Sequence, residues 1–328
     1  MNFDAIVGNT RIKQQLLSLA ESGRLPHAIV IEGEKGLGKR TLAKELALNL
    51  LCVNGENAPC RACPQCNKVM KGIHPDVFVA EPETKSKAYP IKFVRESIVA
   101  DAFVSPNEAR YKIYILANCQ FMEPKTQNAL LKILEEPPEY AIFILTVDKK
   151  SALLETVLSR AVVLSLEGVN AKSGAEYISN NCEGVEYEDA LGAIEIWGGN
   201  IGKALESLKD GKLSKISSVA EEIVLTLINK SEYELLTACF ALSGDREAVA
   251  SVMTVMKTIF RDALVYSQSE CLSGFKETAS ALSSKLSKEK LLRLIASCDK
   301  LKALAEKNCN NNLLITKIPY ELRRSIGK

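Results

Sequence analysis

Five short apolar runs punctuate the first half of the chain: Ala28 to Ile31, Val77 to Ala80, Ile113 to Leu116, Ile142 to Leu145 and Val162 to Leu166. Each is of strand length, apolar throughout and rich in Ile and Val, the pattern of strands buried on both faces of a parallel sheet. Between them, Thr41 to Leu51 and Thr126 to Leu134 carry leucines at helical spacing. Strand alternating with helix predicts crossover units and a doubly wound sheet. After Leu166 the strands stop. Glu167-Gly168 reads as a hinge and Gly198-Gly199-Asn200 as a break between helices. Val219 to Ile228, Ala248 to Val265 and Lys290 to Leu304 read as helices of a bundle. The expected class is α/β plus all-α: an α/β domain over 1–166, a small helical lid over 167–212, and a larger helical domain over 213–328.

Composition changes this picture little. A length of 328 residues allows two or three domains, and 47% hydrophobic with 25% charged residues is an ordinary soluble mixture. The formal net charge of +2 announces no global basic field, so contact with DNA would come from a local patch or from partner subunits. No uninterrupted apolar run reaches about 18 residues, so no membrane partner is expected. The opening MNFDAIVGNTRIKQQ lacks a charged-then-apolar signal layout. Of the ten cysteines, four are clustered; Cys119, Cys182, Cys239, Cys271, Cys298 and Cys309 are scattered. Without a secretion signal, clustered cysteines read as metal ligands and scattered ones as buried thiols, which points to the cytoplasm.

The first strand runs directly into Gly33-Glu34-Lys35-Gly36-Leu37-Gly38-Lys39-Arg40-Thr41. Glycines at 33, 36 and 38 let backbone N–H groups wrap an anion at a helix N-terminus, and Lys39 would reach the phosphates. One position departs from the motif. The residue after the lysine should be Ser or Thr, whose hydroxyl binds Mg²⁺. Here it is Arg40, which coordinates no cation, and Thr41 comes one residue late. The third strand should end in acidic residues for metal and water, yet Ala117 and Asn118 stand there. Binding of ATP or ADP stays open; Mg²⁺-dependent hydrolysis is not expected.

Cys52, Cys60, Cys63 and Cys66 lie between the phosphate-loop helix and the second strand. A Cys-x-x-Cys-x-x-Cys run with an upstream fourth cysteine supplies four thiolates, enough to close a tetrahedral Zn²⁺ site with no open position. Such a zinc is structural. Pro59 and Pro64 favour the tight turns that bring sulfurs inward. An iron–sulfur cluster also uses closely spaced cysteines. His74-Pro75-Asp76 reads as a turn entering the second strand rather than as a fifth ligand.

Asn128-Ala129-Leu130-Leu131-Lys132-Ile133-Leu134-Glu135-Glu136-Pro137-Pro138 resembles the signature of the clamp-loader AAA+ family, the gamma/tau and delta-prime subunits of bacterial DNA polymerase III. With the phosphate loop, Leu25-Pro26-His27-Ala28 and Leu158-Ser159-Arg160, the resemblance covers about residues 1–166. Within the family the chain looks most like the delta-prime type, since the gamma/tau motors keep the acidic pair. The resemblance implies a P-loop AAA+ five-stranded sheet with a zinc insert at about 52–66, a lid, and a C-terminal collar that packs with sister subunits. It implies that Arg160, with Ser159, reaches across a subunit boundary to a neighbour's ATP, although Ala161 replaces the motif's cysteine. A surface arginine capping a helix is the alternative. Thr146 falls at the family's first nucleotide sensor, or is a plain strand-terminal threonine. Gly202 falls where the second sensor's arginine belongs.

The leading expectation is therefore a non-motor clamp-loader subunit. Its implied partners are gamma/tau-like ATPases and delta, and, through the complex, the sliding clamp and primed DNA. An active gamma-like motor would need Thr41 on Mg²⁺ and a substitute carboxylate such as Asp148 or Glu123. A zinc-dependent nucleic-acid-binding module would draw on Arg61, Lys68 and Lys71.

Overall fold

The computed structural model describes residues 1–82, 89–229, 231–243, 245–266, 274–307 and 310–327. Five parallel strands form one sheet: β1 (Ala28–Glu32), β2 (Val77–Ala80), β3 (Lys112–Leu116), β4 (Ala141–Val147) and β5 (Val162–Ser165), in the order β2-β3-β4-β1-β5. Side chains alternate across the pleat, so each strand feeds two cores. Ile29, Ile31, Ile113, Ile115, Ile142 and Ile144 pack on one face against Leu16, Leu42, Leu46 and Val69. These come from α1 (Thr10–Glu21), α2 (Lys39–Leu51) and α3 (Pro64–Lys71). The opposite set, Ala28, Val30, Tyr114, Leu116, Phe143 and Leu145, packs against Ile98, Leu130, Ile133 and Val157. Here the cover is α4 (Ile91–Phe93) and α5 (Ala100–Ala102), joined by a π-helical stretch Val94–Val99, with α6 (Pro124–Glu135) and α7 (Glu155–Leu158). Tyr114 and Phe143 stack with ring centroids 5.1 Å apart.

The expected strands are all present, each shifted at its ends by no more than two residues. Two readings are corrected. β2 is not buried on both faces: it is an edge strand, and Val79 is 56% exposed. Nor is β5, which lies at the other edge of the sheet with Val162 and Val163 only half-buried and Ser165 exposed. Register brings the carboxyl ends of the strands level, with Ile31 opposite Thr146 and Leu116 opposite Leu145. In open α/β sheets that edge is where ligands bind.

The chain divides into two compact units, Met1–Val169 and Asn170–Lys328. The second is wholly helical among the described residues: α8 (Ala171–Asn181), α9 (Tyr187–Ile196), α10 (Ile201–Leu208), α11 (Lys212–Asn229), α12 (Glu232–Phe240), α13 (Arg246–Val265), α14 (Lys276–Lys285), α15 (Lys288–Glu306) and α16 (Asn311–Ile326). α8 to α10 enclose a small apolar cluster around Ile178, Ala193 and Ile194. α11 to α16 enclose a larger one around Val224, Met256, Phe260, Leu294 and Ile318. Trp197 packs against both. No helix of the described residues is long and apolar enough to cross a membrane.

Candidate nucleotide site and cysteine cluster

The phosphate loop leaves β1 at Gly33 and enters α2 at Lys39. Gly36 and Gly38 have φ of 96° and 89°, a region in which any side chain beyond glycine is strained. Gly38 is the N-cap of α2 and offers no side-chain cap, so the first N–H groups of the helix face the loop. Lys39 is 8% exposed. Its ammonium donates to the Gly33 carbonyl and, at 2.8 Å, to Asp148 Oδ1 just past β4. Asp148 Oδ2 accepts in turn from Gln120 Nε2 at 2.9 Å. The loop lysine is thus held by groups of its own unit.

Arg40, at the metal-hydroxyl position, points to the end of β2 and pairs with Glu81. Arg40 therefore presents a guanidinium, and no hydroxyl, at the motif position that calls for Ser or Thr. Thr41 is exposed. At the end of β3, Ala117 is buried, and its carbonyl accepts from Tyr89 Oη. Asn118 N donates to Thr146 Oγ1 at 3.1 Å, so buried Thr146 ties the ends of β3 and β4. Glu32 closes β1. Burial pushes its carboxyl up, but hydrogen bonds from Lys150 N and Ser165 Oγ outweigh it and leave the group below the usual range. Sequence reasoning missed Glu81 and Gln120. An acid directly after an apolar strand was the available signal for Glu81; nothing local marks Gln120.

Arg160 follows the short helix α7, whose C-cap is Ser159. Its Nη1 donates to Thr156 O at 2.8 Å and to Ser159 Oγ at 3.2 Å, and its Nη2 lies 2.6 Å from Glu135 Oε1 at the end of α6. The guanidinium both caps its own helix and forms an ion pair, with its side chain 33% exposed. Gly202 lies in the first turn of α10, in the second unit.

The cysteine cluster assembles. Sγ atoms of Cys52, Cys60, Cys63 and Cys66 all lie within 4.8 Å of one another. Tetrahedral zinc with Zn–S near 2.3 Å asks for sulfurs about 3.8 Å apart, so this donor set fits Zn²⁺. Cys52 caps α2 and Cys63 caps α3, whose first turn carries Cys66. N–H groups of Cys60, Cys63 and Cys66 donate to Cys52, Cys60 and Cys63 Sγ at 3.3–3.4 Å. Backbone donors at Ala62 and Cys63 draw the Cys60 thiol down to about 6, whereas burial pushes Cys66 up to about 12. Arg61 is paired with buried Glu45 at 2.7 Å and Lys68 with Glu108, so two of the three cations beside the cluster are engaged within the unit. His74 is no ligand: its Nε2 meets Gln65 Oε1 at 2.6 Å, and its Nδ1 accepts from Asp76 N at 3.0 Å.

Among the scattered cysteines, Cys119, Cys239 and Cys298 are buried as expected, and burial raises each thiol. Cys182 is only half-buried, because it caps α8 at the surface. Cys271 and Cys309 lie outside the described residues.

The family described as DNA polymerase III, delta subunit, matches residues 8–170. DNA polymerase III subunit gamma of Buchnera aphidicola is 32% identical over 50% of this chain and 45% of its own length. DNA polymerase III subunit delta' of Bacillus subtilis is 32% identical over 50% of this chain and 49% of its own. Over residues 8–170 the chain belongs to the clamp-loader family of DNA polymerase III subunits. It spans about half the length of the curated relatives it matches first. DNA polymerase III subunit tau of Escherichia coli aligns over more of the chain, 24% identical over 78% of this chain and 38% of its own length. Among solved structures, a gamma subunit-related protein of Thermotoga maritima covers 95% of this chain and 99% of its own at 20% identity and a TM-score of 0.42. The parallel five-stranded order and the glycine loop that leads from β1 into α2 agree with the expected P-loop sheet.

Proposed function

We propose that this chain is a non-motor, delta-prime-like subunit of the clamp loader of a bacterial replicative polymerase. In that role it works in the cytoplasm beside gamma/tau-like ATPases and delta, helping to open the sliding clamp and place it on primed DNA. The observation that carries the reading is the ion pair of Arg40 with Glu81 at the position where a motor coordinates Mg²⁺. Ala117 and Asn118 supply no carboxylate at the end of β3, and Asp148, one candidate substitute, is engaged with Lys39 and Gln120. Glu123 is the N-cap residue of α6 through its backbone carbonyl, with no side-chain cap bond. These residues support an ATPase-deficient centre, in which Lys39 holds the loop in shape or holds nucleotide passively.

Arg160 is the group this subunit contributes outward. An arginine finger stabilises the charge that develops on a transferring phosphoryl group and is worth roughly 10³ to 10⁵ in rate. The cysteine cluster would hold a structural zinc that fixes the insert between α2 and β2, and the helices over 213–328 would form the collar. With Arg61 and Lys68 already paired, a nucleic-acid-reading zinc module gains no support.

The test is reconstitution with the sister subunits of the same organism. The isolated chain is expected to hydrolyse no ATP above background. The assembled complex is expected to lose turnover at one site, by about 10³-fold or more, when Arg160→Ala is incorporated without loss of assembly. DNA-stimulated turnover by the isolated chain, abolished by Lys39→Ala, would refute the reading.

A further inference from the structure

α6 and α7 are locked together by one buried side chain. Gln127, 2% exposed, donates from Nε2 to Met122 O at 3.0 Å and Ala152 O at 3.1 Å. Its Oε1 accepts from Leu154 N at 2.8 Å, and Leu154 is the N-cap of α7. The far end of α6 is fixed as well, since His27 Nε2 lies 3.0 Å from Leu134 O. The fold therefore sets the separation between the last residue of α6 and the residues that follow α7. Those are Glu135 and Arg160, 2.6 Å apart.

The arginine is folded back onto its own unit. Of its three acceptors, Thr156 O and Ser159 Oγ are neutral groups of the same turn, and only Glu135 carries charge. A guanidinium so compensated has to exchange one carboxylate for another anion before it serves elsewhere. The pair is half-exposed, at 33% and 48%, so the exchange is open to a competitor arriving from outside the subunit.

We infer that Glu135 is a positioning residue that parks Arg160, setting how readily the guanidinium transfers to the triphosphate of an ATP on the neighbouring subunit. The inference rests on the arginine-finger reading above. In the parked state Arg160 is neutralised and held; in the engaged state the more highly charged triphosphate replaces the carboxylate, and Glu135 returns to solvent. No bond is made or broken in this chain.

The reconstituted complex tests it. Glu135→Gln keeps the size and removes the charge, and is expected to raise ATP turnover in the absence of clamp and DNA by about two- to fivefold, the scale of releasing an exposed ion pair. The gain should shrink as ionic strength rises, because screening already loosens the wild-type pair. Glu135→Asp, which keeps a carboxylate, should fall nearer wild type. In an Arg160→Ala background, Glu135→Gln should change nothing, whereas a purely structural role would lower assembly and turnover in both backgrounds. Should Glu135→Gln not assemble, Ser159→Ala removes a second acceptor and is expected to raise turnover by a smaller factor; no rise overturns the inference. If Arg160→Ala is without effect, the finger reading falls and the parking with it. If Arg160→Ala abolishes turnover at one site while Glu135→Gln leaves turnover at or below wild type, the parking alone is wrong.

Discussion

Lys39 Nζ and Asp148 Oδ1 lie 2.8 Å apart although 109 residues separate them in the chain. The loop lysine expected to meet a phosphate is thus matched by a carboxylate delivered from the end of β4, with the Gly33 carbonyl as its second acceptor. A nucleotide entering the loop has to displace that carboxylate. Asp148→Asn is therefore expected to tighten ADP binding by the isolated chain by about five- to tenfold, since a hydrogen bond to a charged group contributes about 1.5–3 kcal/mol and part of it is regained from Asn. Equilibrium titration with a fluorescent ADP measures this, and unchanged or weaker binding would show that the pair does not oppose the ligand.

Arg40→Ser restores the hydroxyl a magnesium site needs but leaves Ala117 and Asn118 in place. ATP turnover by the isolated variant should stay at background, because the metal-holding and water-activating carboxylates are still missing. The substitution should also cost little stability. Arg40 is 63% and Glu81 30% exposed, and an exposed pair contributes less than about 1 kcal/mol. Urea unfolding followed beside the ATPase assay checks both, and hydrolysis regained by this single change would place the defect at residue 40 alone.

The cysteine cluster predicts one tightly held Zn²⁺ per chain. Replacing buried Cys66 by Ser should abolish stoichiometric zinc, measured by elemental analysis of the purified protein, and lower the unfolding temperature of the first unit. Chelation should do the same to the wild type, since the unfolded chain has no preformed site and metal binding therefore adds to the folding free energy. Purified protein carrying iron and inorganic sulfide instead would identify the cluster alternative.

The parts of this architecture legible in sequence are those written locally. A strand buried on both faces must be apolar at every position, so β1, β3 and β4 announced themselves as unbroken runs. The glycines at 36 and 38 and the cysteine spacing are likewise local, because a turn or a ligand set needs particular residues a few positions apart. β2 misled for the same reason. Its run Val77 to Ala80 looks like the others, and only the order of strands in the sheet reveals that it lies at an edge. The pairs that define the site, Lys39 with Asp148, Arg40 with Glu81 and Arg160 with Glu135, join distant segments. Charged residues at strand and helix ends are too common for any one pairing to be read before the fold brings them together.

Asp76 offers a test of the loop that leads into β3. Its side chain is wholly buried, yet it accepts four hydrogen bonds: from Asn107 N at 2.6 Å, Asn107 Nδ2 at 3.0 Å, Glu108 N at 2.9 Å and Ala109 N at 2.9 Å. Burial alone would raise its carboxyl; these donors favour the ionised form and leave it below the ordinary aspartate range. A carboxylate lowered on folding stabilises the native state fully above its unfolded value, near 3.9, and loses that contribution as pH falls through the folded value. Asp76→Asn keeps the shape, removes the charge and turns one acceptor into a donor facing backbone N–H groups. At neutral pH it should cost about 2–3 kcal/mol. The difference between wild type and variant should then narrow steadily below about pH 4, where the carboxyl of the unfolded chain takes up a proton before the folded one does. Urea unfolding of the full chain at pH 7 and pH 3 measures both quantities. A gap that stays constant across that range would show that the four donors bind Asp76 by shape and not by charge.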